Sequence, residues 1–151
     1  MLSKWLFGLF IVLAAAGIWV FSNPSYQKSL ESKVRYAMGD FDGAYALAKE
    51  SFEMDPYNRM ASTVMAQSQT ALKYVRYNEE AERYIKEIRR IADQKTVTPA
   101  ERAKIKMMAA IMVDSYQKIA PTVVTDDELV MRARSNYEQF EKLHHELALP
   151  R

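Results

Sequence analysis

The chain has 151 residues, 49% of them hydrophobic and 26% charged, the make-up of one globular domain. Twenty-one bases face 19 acids, for a net charge of +2, so there is no clustered positive excess and nucleic acid is not an expected partner. There is no Cys, which excludes disulfide and thiolate chemistry, and four Gly and five Pro are too few for a turn-rich β protein.

The first element is an apolar run, WLFGLFIVLAAAGIWVF, at residues 5–21, with no charge in 17 residues. As a helix it rises about 26 Å, at the short end of what a bilayer core requires. Trp5 and Trp19 stand near its two ends, at the depth Trp prefers, with Leu9 and Val12 between them. The expectation is a single-pass anchor over residues 1–23 that touches the bilayer through residues 5–21. Its small residues Gly8, Ala14, Ala15, Ala16 and Gly17 offer a contact for another transmembrane helix. A cleaved leader ending near Ala14-Ala15-Ala16 is one rival and a buried helix the other. Lys4 precedes the run, and the next bases, Lys28, Lys33 and Arg35, follow at a distance. The amino terminus is therefore expected inside an inner membrane with the body periplasmic; a cytoplasmic-facing body is the alternative.

The remainder, residues 24–151, reads as helix throughout. Pro24 suits a first helical position, and Tyr26, Leu30, Val34 and Met38 recur every four residues as one stripe. Gly39-Asp40 ends that helix. The second carries Phe41, Ala44, Tyr45, Ala48, Ser51 and Phe52 and stops at Asp55-Pro56. A third is expected over about 58–72, with Met60, Val64, Met65, Ala66 and Leu72 apolar. A heptad seam follows: Tyr74, Tyr77, Ala81, Tyr84, Ile88 and Ile91. Whether a turn near Arg76-Tyr77-Asn78 divides these two stretches stays open; Asn78 would cap such a start. Capping boxes at 98–101 (TPAE) and 125–128 (TDDE) open the last two helices. The fifth stops before Pro121 and the sixth runs to about Leu147. No segment alternates with period two, so no sheet is expected.

The stretch GDFDGAYALAKESFEMDPYN, residues 39–58, resembles the second half of a tetratricopeptide repeat, through Gly39, Asp40, Phe41, Ala44, Asp55, Pro56 and Asn58. The spacing Ala44, Ala48, Ser51 returns loosely as Ala81, Ile85, Ile88 and as Ala133, Tyr137, Phe140. Met65-Ala66 and Met108-Ala109 stand where the family pairs a large with a small residue. The later units lack the Gly-Asp turn and the Asp-Pro end. The resemblance implies an all-α fold of about three antiparallel hairpins stacked as a short solenoid with a concave binding face.

Chemistry-bearing patterns are sparse. His144 and His145 point to different sides of a helix, and Glu141 with His145 makes only two ligands, so no metal is expected. No phosphate loop or nucleophile elbow is present, and no cofactor is expected. Glu31–Arg35, Glu79–Arg83, Glu82–Lys86 and Glu138–Lys142 have the spacing of helix ion pairs. Met107, Met108 and Met112 read as core filler. Lys86, Arg89, Arg90 and Lys95, followed by Arg102, Lys104 and Lys106, form a wet face or a contact for anionic lipid or an acidic partner. Tyr is favoured at interfaces, so Tyr74, Tyr77 and Tyr84, with Lys86, Arg89 and Arg90, are the candidate partner-binding residues.

The expected function is a non-catalytic, membrane-anchored interaction module with a membrane-associated protein partner. Tetratricopeptide-like proteins of this plan serve as scaffolds, adaptors, chaperones or assembly factors of secretion, motility, division or envelope machines, which is what the resemblance implies. Self-association is compatible with it. The alternatives are a small helical enzyme, and a subunit whose apolar helix is the main contact with the rest as spacer.

Overall fold

The computed structural model describes residues 2–119 and 125–148, without the side chains of 2–4, 16 and 18–21. The described residues form six helices: α1 Leu2–Ser22, α2 Pro24–Ala37, α3 Phe41–Met54, α4 Arg59–Ala92, α5 Pro99–Gln117 and α6 Asp127–Ala148. As expected, α5 stops before Pro121, at Gln117 with Lys118 as its C-cap; Pro121 itself lies outside the described residues. The chain divides into two compact units, Met1–Gln69 and Thr70–Arg151, and the border falls inside α4.

Local chemistry accounts for the helix ends. Asn23 caps α2 by accepting the Ser25 N–H at 3.0 Å, with Pro24 in the first turn. Gly39 closes the same helix at φ 81°, a conformation in which a side chain is strained. There the Asp40 N–H reaches back to the Arg35 carbonyl at 3.0 Å. Asp40 then caps α3 through the Gly43 N–H at 2.9 Å, while Arg35 holds its other oxygen at 3.0 Å. Both interactions keep the Asp40 carboxyl below its usual range, the Gly43 N–H more strongly. At α5 the Thr98 box is complete: the hydroxyl accepts the Glu101 N–H at 3.2 Å and the Glu101 carboxylate accepts the Thr98 N–H at 2.9 Å. At α6 the cap is Asp126, which accepts the Glu128 and Leu129 N–H groups at 2.9 and 3.1 Å. That lies one residue later than the 125–128 box implies, because Thr125 is buried while Asp126 stays exposed and within reach of the free N–H groups.

In the first unit, α2 and α3 form a hairpin. Ser25 near the start of α2 meets Ser51 near the end of α3, and the Tyr36 and Phe41 rings meet edge-to-face at the turn, so the two run antiparallel. Ala44 and Ala48 are fully buried, and with Val64 they form the core, edged by Tyr36, Met60 and Met65. In the second unit, Tyr74, Tyr77 and Ala81 of α4 pack with Ala109 and Met112 of α5 and with Ala133 and Phe140 of α6. A second cluster joins Ile91, Ile105 and Met108.

Two expectations are corrected. The first is the anchor: among the described residues no helix is long and apolar enough to cross a membrane. The uncharged run of α1, residues 5–21, rises about 26 Å, short of a hydrocarbon core of about 30 Å. The N-terminal transmembrane helix, the single-pass description and the inner-membrane location are withdrawn with it. The second is the array of three hairpins. The stretches expected as third and fourth helices are one helix, α4, of 34 residues. Its middle contains no Gly or Pro to break it, and Asn78, the proposed cap, is instead used by a buried contact in mid-helix. Among the described residues there is therefore no middle hairpin, and the array of three stacked hairpins is not formed. The face that α2 buries is not the one with the large apolar residues. The stripe Leu30, Val34, Met38 points to solvent, and the buried stripe is Ser25, Ser29, Ser32.

Candidate interaction surfaces

The inversion of α2 is explained by a buried polar knot. Asn58 is fully buried just before α4. Its side-chain oxygen caps α4, accepting the Met60 and Ala61 N–H groups at 3.1 and 3.2 Å. Its nitrogen donates to the hydroxyls of Ser25 at 2.9 Å, Ser29 at 3.2 Å and Ser51 at 3.3 Å. The Ser25 hydroxyl donates to the Ser51 carbonyl and the Ser51 hydroxyl to the Ser25 carbonyl, at 3.0 and 2.6 Å. Ser29 and Ser32 bond back to the carbonyls of Tyr26 and Ser29. With each polar atom partnered, a serine stripe is cheap to bury, and small side chains let helix axes approach. The apolar stripe is then left outside, Met38 being 79% exposed.

A second polar pair lies in the other unit. The Asn136 amide donates to the Asn78 oxygen at 3.0 Å, and the Asn78 amide donates to the Leu129 carbonyl at 3.2 Å. Beside it the Tyr116 ring stacks on Tyr137 at 4.5 Å and meets Tyr77 at 5.6 Å. The Tyr77 hydroxyl is buried with no hydrogen-bond partner among the described residues. Burial first, then the Tyr116 and Tyr137 hydroxyls, push its pKa up, so it stays protonated. The sequence singles out Asn78 only as a possible helix cap and Asn136 not at all. The signals available were the serines at 25, 29 and 32, which share one helix face, and an Asn inside a heptad seam.

The candidate partner-binding residues are divided between core and surface. Tyr74 and Tyr77 are 2% and 4% exposed and belong to the core of their unit, whereas Tyr84 is half-buried. Lys86, Arg89 and Arg90 are exposed. Arg90 contacts Glu87 at 2.8 Å, and Glu87 also takes Lys104 at 2.6 Å, so one carboxylate ties α4 to α5. Those two cations hold the Glu87 carboxyl down at about 2. Among the expected helix pairs, Glu31–Arg35 forms at 3.1 Å, while Glu82 bonds Arg132 and Glu138 bonds Arg134. Met108 and Met112 are core; Met107 is exposed. The His144 and His145 rings lie 6.2 Å apart and steeply inclined. Among the described residues no three His, Asp or Glu groups are placed to hold a metal.

Three surfaces remain open. On α1, Trp5, Leu6, Phe7, Leu9, Phe10, Ile11, Val12 and Leu13 are all more than half exposed, Trp5 at 82%. Trp19, also expected there, lies outside the residues whose side chains are described. A groove of about 330 Å³ in the second unit runs over Ile85, Ile88, Phe140 and Leu143, with Arg89 and Lys142 on its rim. Another, of about 440 Å³, lies over Val97, Pro99, Ala103 and Leu147, with Arg102 and Lys106 beside it. Comparison with protein families, curated proteins and solved structures finds no match to this chain.

Proposed function

We propose that this chain is a non-catalytic interaction module, a scaffold or adaptor, held to an apolar partner surface through α1 while its helical units present grooves and charged faces to others. One observation carries the reading. Eight large apolar side chains within residues 5–13 stand exposed, and nine consecutive helical residues turn through every direction around the axis. A contiguous exposed apolar surface of that kind marks an interaction site. Covering these side chains is worth on the order of 10 kcal/mol gross, enough to offset what an association costs. The partner is a protein with an apolar helical surface. The buried polar knots are fully used in holding helices together, which supports a structural role for them rather than a catalytic one.

The test is site-specific photo-cross-linking in cells. A photoreactive residue is placed at Leu9 or Val12 on α1, at Val34 on the outward stripe of α2, and at the exposed Lys73 as a reference. The reading expects discrete protein adducts from the α1 positions and none from position 73. Equal or absent protein adducts at all positions would remove α1 as the point of attachment.

A further inference from the structure

We propose that the groove at the start of α5 docks an acidic peptide segment of a partner protein, one that carries a carboxylate next to a large apolar side chain. This inference rests on reading the chain as an interaction module and names the chemistry of one partner. Val97, Pro99, Ala103 and Leu147 line the groove, and among the described residues the charged ones on it are Arg102 and Lys106. These two are four residues apart on α5 and so project from the same side of the helix. Both are exposed, and neither forms an ion pair with any described residue. Of the bases nearby on α4 and α5, Arg90 and Lys104 are already paired with Glu87. Arg102 and Lys106 are thus cations left without counter-charge beside an apolar floor that has no acid of its own.

The floor and the rim make different demands, and an acidic, apolar-anchored peptide meets both. An apolar side chain on Val97, Ala103 and Leu147 displaces water, and a carboxylate beside it meets the two cations where screening is reduced. At about 440 Å³, the groove lies near the small end of ligand sites, which run from about 300 to 1,000 Å³. It seats one or two side chains of an extended or single-turn segment. The free N–H groups at the α5 terminus are not the anion reader, because Thr98 and Glu101 already cap them. Two cations also fall short of the four to eight clustered bases that typify recognition of an anionic lipid surface.

A phage-displayed library of random twelve-residue peptides is panned on the full-length chain. The expected outcome is enrichment of sequences with Asp or Glu adjoining Leu, Ile, Met or Phe. The leading peptide, made with a fluorophore, then binds more weakly as salt rises. Arg102→Glu with Lys106→Glu lowers its affinity at least tenfold while circular dichroism and Tm stay unchanged, and Lys142→Glu on the other groove has no effect. If Arg102→Glu with Lys106→Glu does not fold, Lys106→Ala alone serves, with an expected loss of several-fold. Failure of any sequence to enrich, enrichment without acidic residues, or affinity indifferent to Arg102 and Lys106 overturns the proposal. So does binding to phosphatidylserine vesicles through these two residues without binding to peptides. The α1 cross-links report on attachment alone, so either result stands if the other fails.

Discussion

Replacing Asn58 by Asp alters one donor group and almost nothing in shape, which makes it the sharpest probe of the polar knot. In the native unit the Asn58 nitrogen reaches three hydroxyl oxygens, at 2.9, 3.2 and 3.3 Å. The protons of those hydroxyls are committed to the carbonyls of Ser51, Tyr26 and Ser25. A carboxylate keeps the cap on Met60 and Ala61, and its charge at a helix N-terminus gains about 0.3–1 kcal/mol. Its second oxygen, however, faces lone pairs. Either the hydrogen bonds of the two amide protons, about 1 kcal/mol each, are lost and a carboxylate oxygen is left against lone pairs, or a hydroxyl turns away and orphans a buried carbonyl at about 1–3 kcal/mol. The loss exceeds the gain, and Asn58→Asp is expected to destabilise the fold by about 2–3 kcal/mol at pH 7. For a chain of this length, at about 2–4 °C per kcal/mol, Tm falls by roughly 4–12 °C. The pH dependence has a definite sign. Burial against acceptors raises the folded pKa of the new carboxyl above its unfolded value of about 3.9. The protonated form can donate again, so the deficit is full above the folded pKa and closes as pH falls towards the unfolded one. The assay is thermal melting of both proteins from pH 7 to pH 4, with the difference in Tm as readout. A variant within about 0.5 kcal/mol of the parent at pH 7, or a deficit independent of pH, would refute the reasoning, because the amide nitrogen would then contribute nothing the hydroxyls need.

Two further substitutions test the other unit. Tyr77→Phe removes a buried hydroxyl with no partner among the described residues; Tm is expected unchanged or higher, since an unsatisfied buried group costs about 1–3 kcal/mol, and a clear fall would show that the hydroxyl has a partner. Glu87 has its carboxyl depressed to about 2, first by Arg90 and then by Lys104. A depressed pKa contributes stability that is present above the ordinary value near 4.5 and is lost as pH falls through about 2. Glu87→Gln is therefore expected to flatten acid unfolding between those limits, with the difference shrinking in high salt; superimposable acid-unfolding curves for the two proteins would contradict that.

Much of the helical plan was legible because its signals are local. Gly39-Asp40, Asp55-Pro56 and the Thr98 box each determine a boundary through groups within a few residues of one another. What failed was nonlocal. Residues 58–72 and the heptad seam carry different apolar patterns, and a change of pattern resembles a change of helix. Yet nothing between them breaks the backbone, and α4 runs on while the burying partner changes from α3 to α5 and α6. The residues of α1 are uniformly apolar, so no period in them states what covers them. The Arg102–Lys106 groove draws Leu147 from α6 beside the start of α5, a meeting no spacing in the chain announces.

The exposed stripe of α2 shows that a helical period does not by itself say which side is buried. Tyr26, Leu30, Val34 and Met38 are a true helical stripe, and so are Ser25, Ser29 and Ser32. Only one can face α3. Burying the leucine side would gain about 25 cal/mol per Å² of apolar surface, but it would expose Ser25 and Ser29 and leave the buried Asn58 amide without acceptors. It would also force large side chains between axes that Ala44, Ala48 and Ser51 allow to come close. The serine side loses that apolar gain and in return completes a cap, satisfies a buried amide and permits close packing. The choice therefore turns on Asn58, a residue outside α2 altogether. The same choice leaves Leu30, Val34 and Met38 facing outward, so that α2, like α1, exposes large apolar side chains.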